Sequence, residues 1–171
     1  GAGFPPGCRT AVLLRPCLEK HSIEFPALGL VASGGHTAMY LLESPTRMQV
    51  IGSTIDDAIG EAFDKAATIL EAGYPGGPAI EALAAEGDPE AMKLPVARLG
   101  DSLDFSFSGL KTALLYGVRG RPEGRGRDVT YPRSISDLQP SQRADAAASF
   151  QTAAVTAIVR TLKRALERHE V

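Results

Sequence analysis

The chain has 171 residues, 44% of them apolar and 22% charged, so it is long enough to bury a core. A formal net charge of −2 excludes nucleic-acid binding through bulk positive charge, and any basic surface must be local. No apolar run approaches the ~20 residues of a membrane span, and residues 1–15 show no signal-peptide pattern. Two cysteines do not make a disulfide scaffold, so we expect a cytoplasmic protein with no membrane partner.

The first half of the chain predicts strands followed by two helices. Three strands are expected, at Ala27–Ala32, Thr37–Leu42 and Gln49–Ser53. Apolar residues at helical spacing predict a helix over Asp56–Ala72, which Gly73 ends. Pro78 suits the first position of a short helix that ends near Gly87.

The second half predicts one more strand and two more helices. Apolar residues alternate with polar ones over Leu103–Phe107, which predicts a half-buried strand. Ser108 suits the N-cap of a helix that runs through Tyr116, and residues 117–140 are expected to form a loop. A long amphipathic helix is expected over Ser141–Arg168. Its predicted apolar stripe is Phe150, Ala154, Val155, Ile158, Val159, Leu162 and Leu166. Strands followed by helices indicate a mixed α/β fold.

The Gly-Gly turn at Ser33–Thr37 is the first candidate site. Adjacent glycines let backbone N–H groups approach an anion, which favours phosphate binding. A plain hairpin turn is the alternative, since the motif is neither a P-loop nor the dinucleotide fingerprint. His36 is either a ligand contact or a structural histidine, and no histidine pair with metal-ligand spacing occurs.

Charged residues form the second candidate. Asp57, Glu61 and Asp64 lie at i, i+4 and i+7 and share one face of the predicted helix. Ligand hydroxyls or amines could compensate these charges, and a solvated helix face is the alternative. Lys65 lies four residues after Glu61 and can pair with it. Lys111 opposes the dipole of its predicted helix unless an anion lies nearby, and an exposed lysine is the alternative.

Two loops complete the candidates. In Tyr74–Pro78, two prolines bracket two glycines and leave a bare surface on which a base or ribose could pack. A simple turn between helices is the alternative. Residues 119–133 contain five arginines against Glu123 and Asp128, a local excess of +3. Such a loop can bind the phosphate backbone of tRNA, and a solvated loop is the alternative.

Four ordered motifs together resemble the tRNA N6-threonylcarbamoyladenosine synthase family, once labelled glycoprotease. The motifs are Val31–Thr37, Asp56–Lys65, Gly73–Pro78 and Leu103–Thr112, and Asp145–Gln151 extends them. The resemblance covers roughly residues 24–168. It implies an α/β fold of the actin-like, Hsp70-like ATPase superfamily (ribonuclease H-like), with the ligand between two lobes. It also implies that 24–171 are the central part of the transferase domain and 1–23 a diverged or disordered remnant.

The resemblance further implies transfer of threonylcarbamoyl from threonylcarbamoyl-AMP to N6 of an adenosine in tRNA, together with protein partners of the modification complex. The family's contacts to this adenine nucleotide carry over onto Val31, Ala32, Ser33, Gly34, Gly35, Asp64, Gly77 and Glu81, with His36 and Lys111 as further candidates. A phosphotransferase of the same superfamily is one alternative. A non-catalytic module that binds a nucleotide or a protein partner is another.

The family also binds one metal ion, of the iron or zinc type, through a histidine pair. The matching positions, 28 and 24 residues before His36, are Cys8 and Val12, and valine cannot bind a metal. The chain opens on Gly1 rather than methionine, and we expect it to lack the family's N-terminal strands and C-terminal nucleotide loop. The expectation is an incomplete fold and no transfer by this chain alone. No residue is predicted as the general base.

Overall fold

The computed structural model describes residues 23–124 and 129–171. Three antiparallel strands form its sheet: β1 (Ala27–Ala32), β2 (Thr37–Ser44) and β3 (Arg47–Ser53), in the order β1-β2-β3. The helices within the described ranges are α1 (Ile59–Ile69), α2 (Gly76–Ala84), α3 (Ser108–Arg119) and α4 (Pro140–His169), with a short 3-10 helix at Ile135–Asp137. The predicted mixed α/β class is confirmed, and the sheet in it is small and antiparallel.

The sheet has β2 at its centre, and this strand is buried on both faces. Met39 points into the main core with the helices. Tyr40 and Leu42 point to the opposite face, where Phe25 and Met48 pack against them. The predicted β1–β2 hairpin is confirmed, with Ala32 paired to Thr37. The third strand begins at Arg47 instead of Gln49, since Arg47 pairs with Ser44 across the turn.

Helix α1 is shorter than predicted at both ends. The prediction began at Asp56, but the hydroxyl of Thr54 donates to the carbonyl of Asp57 at 2.6 Å and closes a turn before the helix. At the other end Glu71, rather than Gly73, is the first residue with a left-handed backbone, at φ 52°. A left-handed residue ends a helix, so α1 stops before Gly73 is reached.

Helix α2 begins two residues before Pro78 and ends at Ala84. The carboxylate of Asp64 accepts a hydrogen bond from the N–H of Gly76 at 2.8 Å, and this bond caps the helix at an earlier position than predicted. Gly87 lies beyond the helix end. A Cβ there would come within 2.1 Å of the carbonyl oxygen of Ala144, so this glycine permits close approach to α4.

Residues Leu103–Phe107 show the predicted alternation but do not form a strand. Leu103, Phe105 and Phe107 are buried, and the polar residues between them are half-buried. The segment pairs with the end of β3 only through an isolated bridge between Thr54 and Phe105. The pairing does not continue past Ile55, because the N–H of Phe107 donates to the side chain of Asp56 rather than to a backbone carbonyl.

Asp56 caps α3, a role that the sequence suggested for Ser108. Its Oδ1 accepts the backbone N–H of Phe107 at 2.8 Å and that of Ser108 at 3.3 Å. Its Oδ2 accepts the hydroxyls of Ser106 at 2.6 Å and Ser108 at 2.8 Å. Burial alone would raise the pKa of Asp56, but the hydrogen bonds from Ser106, Phe107 and Ser108 together hold it below the ordinary value. The prediction for Ser108 was wrong because its hydroxyl donates to Asp56 and makes no cap of its own.

Helix α4 crosses the other helices, and its predicted stripe is only partly buried. Phe150, Ala154 and Ile158 are buried, and Phe150 packs edge-on against Phe63 with ring centroids 5.3 Å apart. Three predicted stripe residues are instead exposed: Val155, Val159 and Leu166. No helix within the described ranges is long and apolar enough to cross a membrane.

Arginines of α4 bind backbone carbonyls of the segments beside it. The guanidinium of Arg143 donates to the carbonyl of Leu70 at the end of α1. Three more, each four residues apart, bind the irregular segment before Leu103: Arg160 to Ala97, Arg164 to Gly100 and Arg168 to Asp101. These bonds satisfy carbonyls that no helix or strand uses. The predicted 117–140 loop is shorter than expected, since α3 runs to Arg119.

We predict that Asp56→Ala lowers the free energy of unfolding by about 1–2 kcal/mol, as loss of a helix cap does. Asp101→Ala is the matched control, because only the backbone carbonyl of Asp101 makes a contact within the described residues. Urea denaturation followed by circular dichroism measures both variants. Equal stability of the two would contradict the capping role.

The hydrogen bonds that the Asp56 carboxylate accepts also predict that stability depends on pH. The pKa of Asp56 is lowered on folding, so its contribution is fully present above the unfolded value of 3.8 and is lost as the pH falls through the folded pKa. The stability difference between the native chain and Asp56→Asn should therefore shrink below about pH 4. A difference that is constant from pH 7 to pH 2 would show that the carboxylate charge is unimportant.

Candidate functional site

The turn between β1 and β2 exposes bare backbone. Gly34 and Gly35 are both exposed, and a Cβ added to either would meet no atom within 4 Å. Neither has a left-handed φ. The turn is closed by the N–H of Ser33, which donates to the carbonyl of His36 at 2.9 Å, and by the N–H of His36, which donates to the Ser33 hydroxyl at 3.1 Å. Neither packing nor backbone conformation therefore requires glycine at these two positions.

The start of α1 packs directly on this turn. A Cβ on Gly60 would lie 2.7 Å from the Cα and N atoms of Gly34 and from the carbonyl oxygen of Ser33. Two N–H groups at the helix start bond to the hairpin: Ile59 donates to the Thr37 hydroxyl at 2.8 Å and Gly60 to the Ser33 carbonyl at 3.1 Å. An anion at this place would meet the backbone of the turn itself, because these two helix amides are already occupied.

One helical turn after Gly60, Asp64 joins α1 to the start of α2. Its Oδ1 accepts the N–H of Gly76, and a Cβ on Gly76 would lie 2.4 Å from the Cα of Asp64. The next residue, Gly77, has open space where a Cβ would be. At 1.5 Å per residue, Gly60 and Asp64 are about 6 Å apart along the helix. The hairpin turn and the start of α2 thus contact positions one turn apart on α1.

The other residues predicted to contact the nucleotide differ in how far they are exposed. Val31 is half-buried and its side chain packs against the second core cluster, while Ala32 is exposed. Glu81 is exposed on α2, four residues after Gly77 and hence on the same helix face. Tyr74, just before the α2 start, is 84% exposed. The exposed ring of Tyr74 thus comes three residues before Gly77, which has open space at its Cβ position.

The predicted acidic stripe is neutralised within the protein. Lys65 Nζ lies 2.6 Å from Asp57 Oδ1 and 2.8 Å from Glu61 Oε1, which confirms the predicted Lys65–Glu61 pair. The hydrogen bond that Lys65 donates to Asp57, followed by the one that it donates to Glu61, raises the pKa of Lys65. Lys111 Nζ lies 3.9 Å from Asp57 Oδ2, so Asp57 is the anion near the start of α3. Asp64, the third member of the stripe, instead caps α2.

The described residues do not supply a set of ligands for a metal ion. Within residues 23–124 and 129–171, no group of three or more His, Cys, Asp or Glu side chains could hold one. Cys8 and Val12 lie outside the described residues.

The sequence did not indicate the packing and capping roles of three residues that build the site: Asp56, Gly60 and Gly76, the last of which lies in the predicted Tyr74–Pro78 turn. Gly60 carried a readable signal, since a glycine inside a predicted helix costs stability and indicates close packing. Asp56 and Gly76 gave no such signal because their partners lie 50 and 12 residues away, respectively.

The hairpin turn, the packed start of α1 and the capped start of α2 define a mixed α/β unit with bare backbone exposed beside a charged helix face. A sequence model described as tRNA N6-adenosine threonylcarbamoyltransferase matches residues 9–171. The chain belongs to this family.

Curated relatives with that same description are similar over most of the chain. The relative from Chlamydia muridarum is 45% identical over 152 residues, which cover 89% of this chain and 43% of the relative. That from Symbiobacterium thermophilum is 48% identical over 143 residues, 83% of this chain and 38% of the relative. The relative from Paracidovorax citrulli is 44% identical over 156 residues, which cover 91% of this chain and 41% of the relative. The chain spans about two fifths of the length of these relatives.

The two kinds of glycine should respond differently to alanine. Gly→Ala in a helix ordinarily stabilises by up to about 1 kcal/mol, but Gly60→Ala should destabilise by about 1–3 kcal/mol because its Cβ meets backbone. Gly34→Ala and Gly77→Ala should leave stability unchanged or raise it by up to about 1 kcal/mol, because the added Cβ meets no atom and the unfolded chain loses freedom. Chemical denaturation compares the three variants. A stabilised Gly60→Ala would mean that α1 does not pack on the turn as described.

Proposed function

We propose that this chain binds the adenylate part of threonylcarbamoyl-AMP and that the protein transfers the threonylcarbamoyl group to N6 of an adenosine in tRNA. The described residues are in this proposal the central part of an actin-like ATPase-superfamily domain. The single observation that carries it is the contrast between the packed glycines, Gly60 and Gly76, and the open ones, Gly34, Gly35 and Gly77.

The open glycines are the basis for placing the phosphate and the base of the bound adenylate. A glycine that the fold does not need loses backbone entropy on folding with no structural return. Close approach of a ligand to the backbone is one return that it can provide, and N–H groups free of side chains suit phosphate oxygens. The phosphate would lie at Gly34–Gly35, and the base would lie near Gly77 and the exposed ring of Tyr74.

Asp64 supports a ribose position between these two ends. One of its oxygens is fixed by the N–H of Gly76, which orients the carboxylate. A carboxylate has about four acceptor positions, so the group retains capacity for a ribose hydroxyl. A distance of about 6 Å along α1 between Gly60 and Asp64 suits a ribose between phosphate and base.

The transfer would proceed by attack of the adenosine N6 amine on the carbamoyl carbon. A C–N bond forms, the bond from that carbon to the phosphate oxygen breaks, and AMP leaves with the electron pair. The amine loses one proton to a base that the described residues do not identify. The contribution of this chain would be to hold the adenylate so that the carbamoyl carbon is oriented for attack.

Binding of AMP tests this proposal. Gly34→Val places a branched side chain where the phosphate would approach. The affinity of this variant for AMP, measured by calorimetry, should be at least tenfold lower than that of the native chain. Its thermal melting temperature should be unchanged. Val155→Ala, an exposed change on α4, is the control for general effects of substitution. Equal binding of AMP by the native chain and Gly34→Val would overturn the phosphate position.

We propose that the loop of residues 119–133 contacts tRNA through three of its five arginines. Arg119 stacks over Tyr131 at 4.8 Å, and Arg133 donates to the carbonyl of Gly117 at 2.7 Å, so both have contacts within the protein. Arg121 is exposed, while Arg125 and Arg127 lie outside the described residues.

We predict that changing Arg121, Arg125 and Arg127 together to Gln weakens tRNA binding and flattens its dependence on salt concentration, because fewer counterions are released. Lys163→Gln on α4 is the matched control for loss of positive charge. Filter binding at several salt concentrations gives both quantities, and an unchanged slope would exclude these arginines from the RNA contact.

A further inference from the structure

The ammonium group of Lys111, at the start of a helix, makes no hydrogen bond to any residue that the structure describes. It lies in the first turn of α3, where the helix dipole disfavours positive charge. Its Nζ is 3.9 Å from Asp57 Oδ2, which is an ion contact but too long for a hydrogen bond. No other acceptor of the described residues binds this ammonium group, and its side chain is 31% exposed. Three donors therefore remain available on a flexible four-carbon stem.

The carboxylate of Asp57, which lies near Lys111, is held by a different lysine, Lys65. Asp57 Oδ1 accepts from Lys65 at 2.6 Å, and Lys65 is shared with Glu61. Asp57 Oδ2 is buried and has no hydrogen-bond partner among the described residues. The carboxylate is thus fixed in position by Lys65 while its second oxygen attracts Lys111 only at longer range. This arrangement keeps Lys111 near the carboxylate and leaves it able to bind another anion.

The cluster lies at the end of α1 that contacts the hairpin turn. Asp57 is three residues before Gly60, whose Cα region touches Gly34. The Ile59 and Gly60 amides next to it are already bonded to the hairpin, so the helix end itself supplies little to an anion. A second positive group at this end would have to come from a side chain, and Lys111 is the lysine that reaches Asp57 from another helix.

We propose that Lys111 binds the phosphate of the adenylate, and that Asp57 is the positioning residue that holds Lys111 beside the Gly34–Gly35 turn. This inference rests on the proposed adenylate site. In the absence of a ligand Lys111 stays near Asp57 Oδ2. With a ligand it donates to a phosphate oxygen, and its positive charge stabilises AMP as the leaving group while the bond to the carbamoyl carbon breaks.

Adenosine and AMP differ only by the phosphate, so their affinities for the same variant isolate this contact. Calorimetry with the 171-residue chain should give tighter binding of AMP than of adenosine. Lys111→Gln should reduce AMP affinity about tenfold and leave adenosine affinity unchanged, as expected for loss of one charge-assisted hydrogen bond. Lys111→Arg should recover most of the AMP affinity, and Lys163→Gln should alter neither ligand.

Asp57→Asn tests the positioning role. It should reduce AMP affinity by about threefold in the native background and have no further effect when combined with Lys111→Gln, because it acts through the lysine. The double variant also removes both charges, so it remains usable if Lys111→Gln alone fails to fold. A purely structural role would lower the affinities for AMP and adenosine together.

The outcomes separate the two proposals. A native chain that binds neither adenosine nor AMP overturns the adenylate site, and the role of Lys111 falls with it. A native chain that binds both, with AMP affinity unaffected by Lys111→Gln, overturns the role of Lys111 and leaves the adenylate site standing.

Discussion

Helix α1 contacts bare backbone at two positions one turn apart, and the geometry of the site depends on this constraint. At Gly60 the helix meets the hairpin turn, and at Asp64 it meets Gly76 of α2. A side chain on either glycine would push apart elements whose backbones now lie in contact. Because protein interiors are close-packed, such a displacement would move the hairpin and α2 relative to each other. The separation between Gly34 and Gly77 is therefore set by the packed glycines, Gly60 and Gly76, rather than by the open ones.

Polar side chains fix the irregular segments around this helix. Asp56 gathers four hydrogen bonds from the Ser106–Ser108 stretch and thereby orients α3. Arginines of α4 do the same for the segment that precedes it, through carbonyls of Ala97, Gly100 and Asp101. Backbone groups outside helices and strands must find partners when they are covered, and here side chains from distant parts of the chain supply them. The position of Lys111 follows from these bonds, since α3 is held against the start of α1.

Charge in the site is balanced inside the protein. Two carboxylates, Asp57 and Glu61, face two lysines, Lys65 and Lys111, so the cluster carries no net charge. Elsewhere the chain leaves Val155, Val159 and Leu166 exposed along one side of α4. These residues recur at intervals of four and seven, which is the spacing of a helix-packing face.

Local sequence patterns were sufficient to predict the secondary-structure elements and the family. Alternation and turn residues predicted the hairpin, and periodicity predicted the helices, because these signals arise between residues close together in the chain. Four ordered motifs indicated the family that the comparisons confirm. Helix boundaries were predicted less well, since Asp56 and Asp64 use their carboxylates on partners from other segments.

Contacts between elements far apart in the chain determine which glycines pack and which stay open, and which lysine binds which carboxylate. Lys65 and Glu61 could be paired from their spacing, whereas the approach of Lys111 to Asp57 requires α3 to lie against the start of α1. The burial of α4 also depended on its neighbours: periodicity placed Val155 and Ile158 on one stripe, but the core covers only Ile158. A one-dimensional pattern records that a residue is apolar, and the arrangement of the other elements determines whether anything covers it.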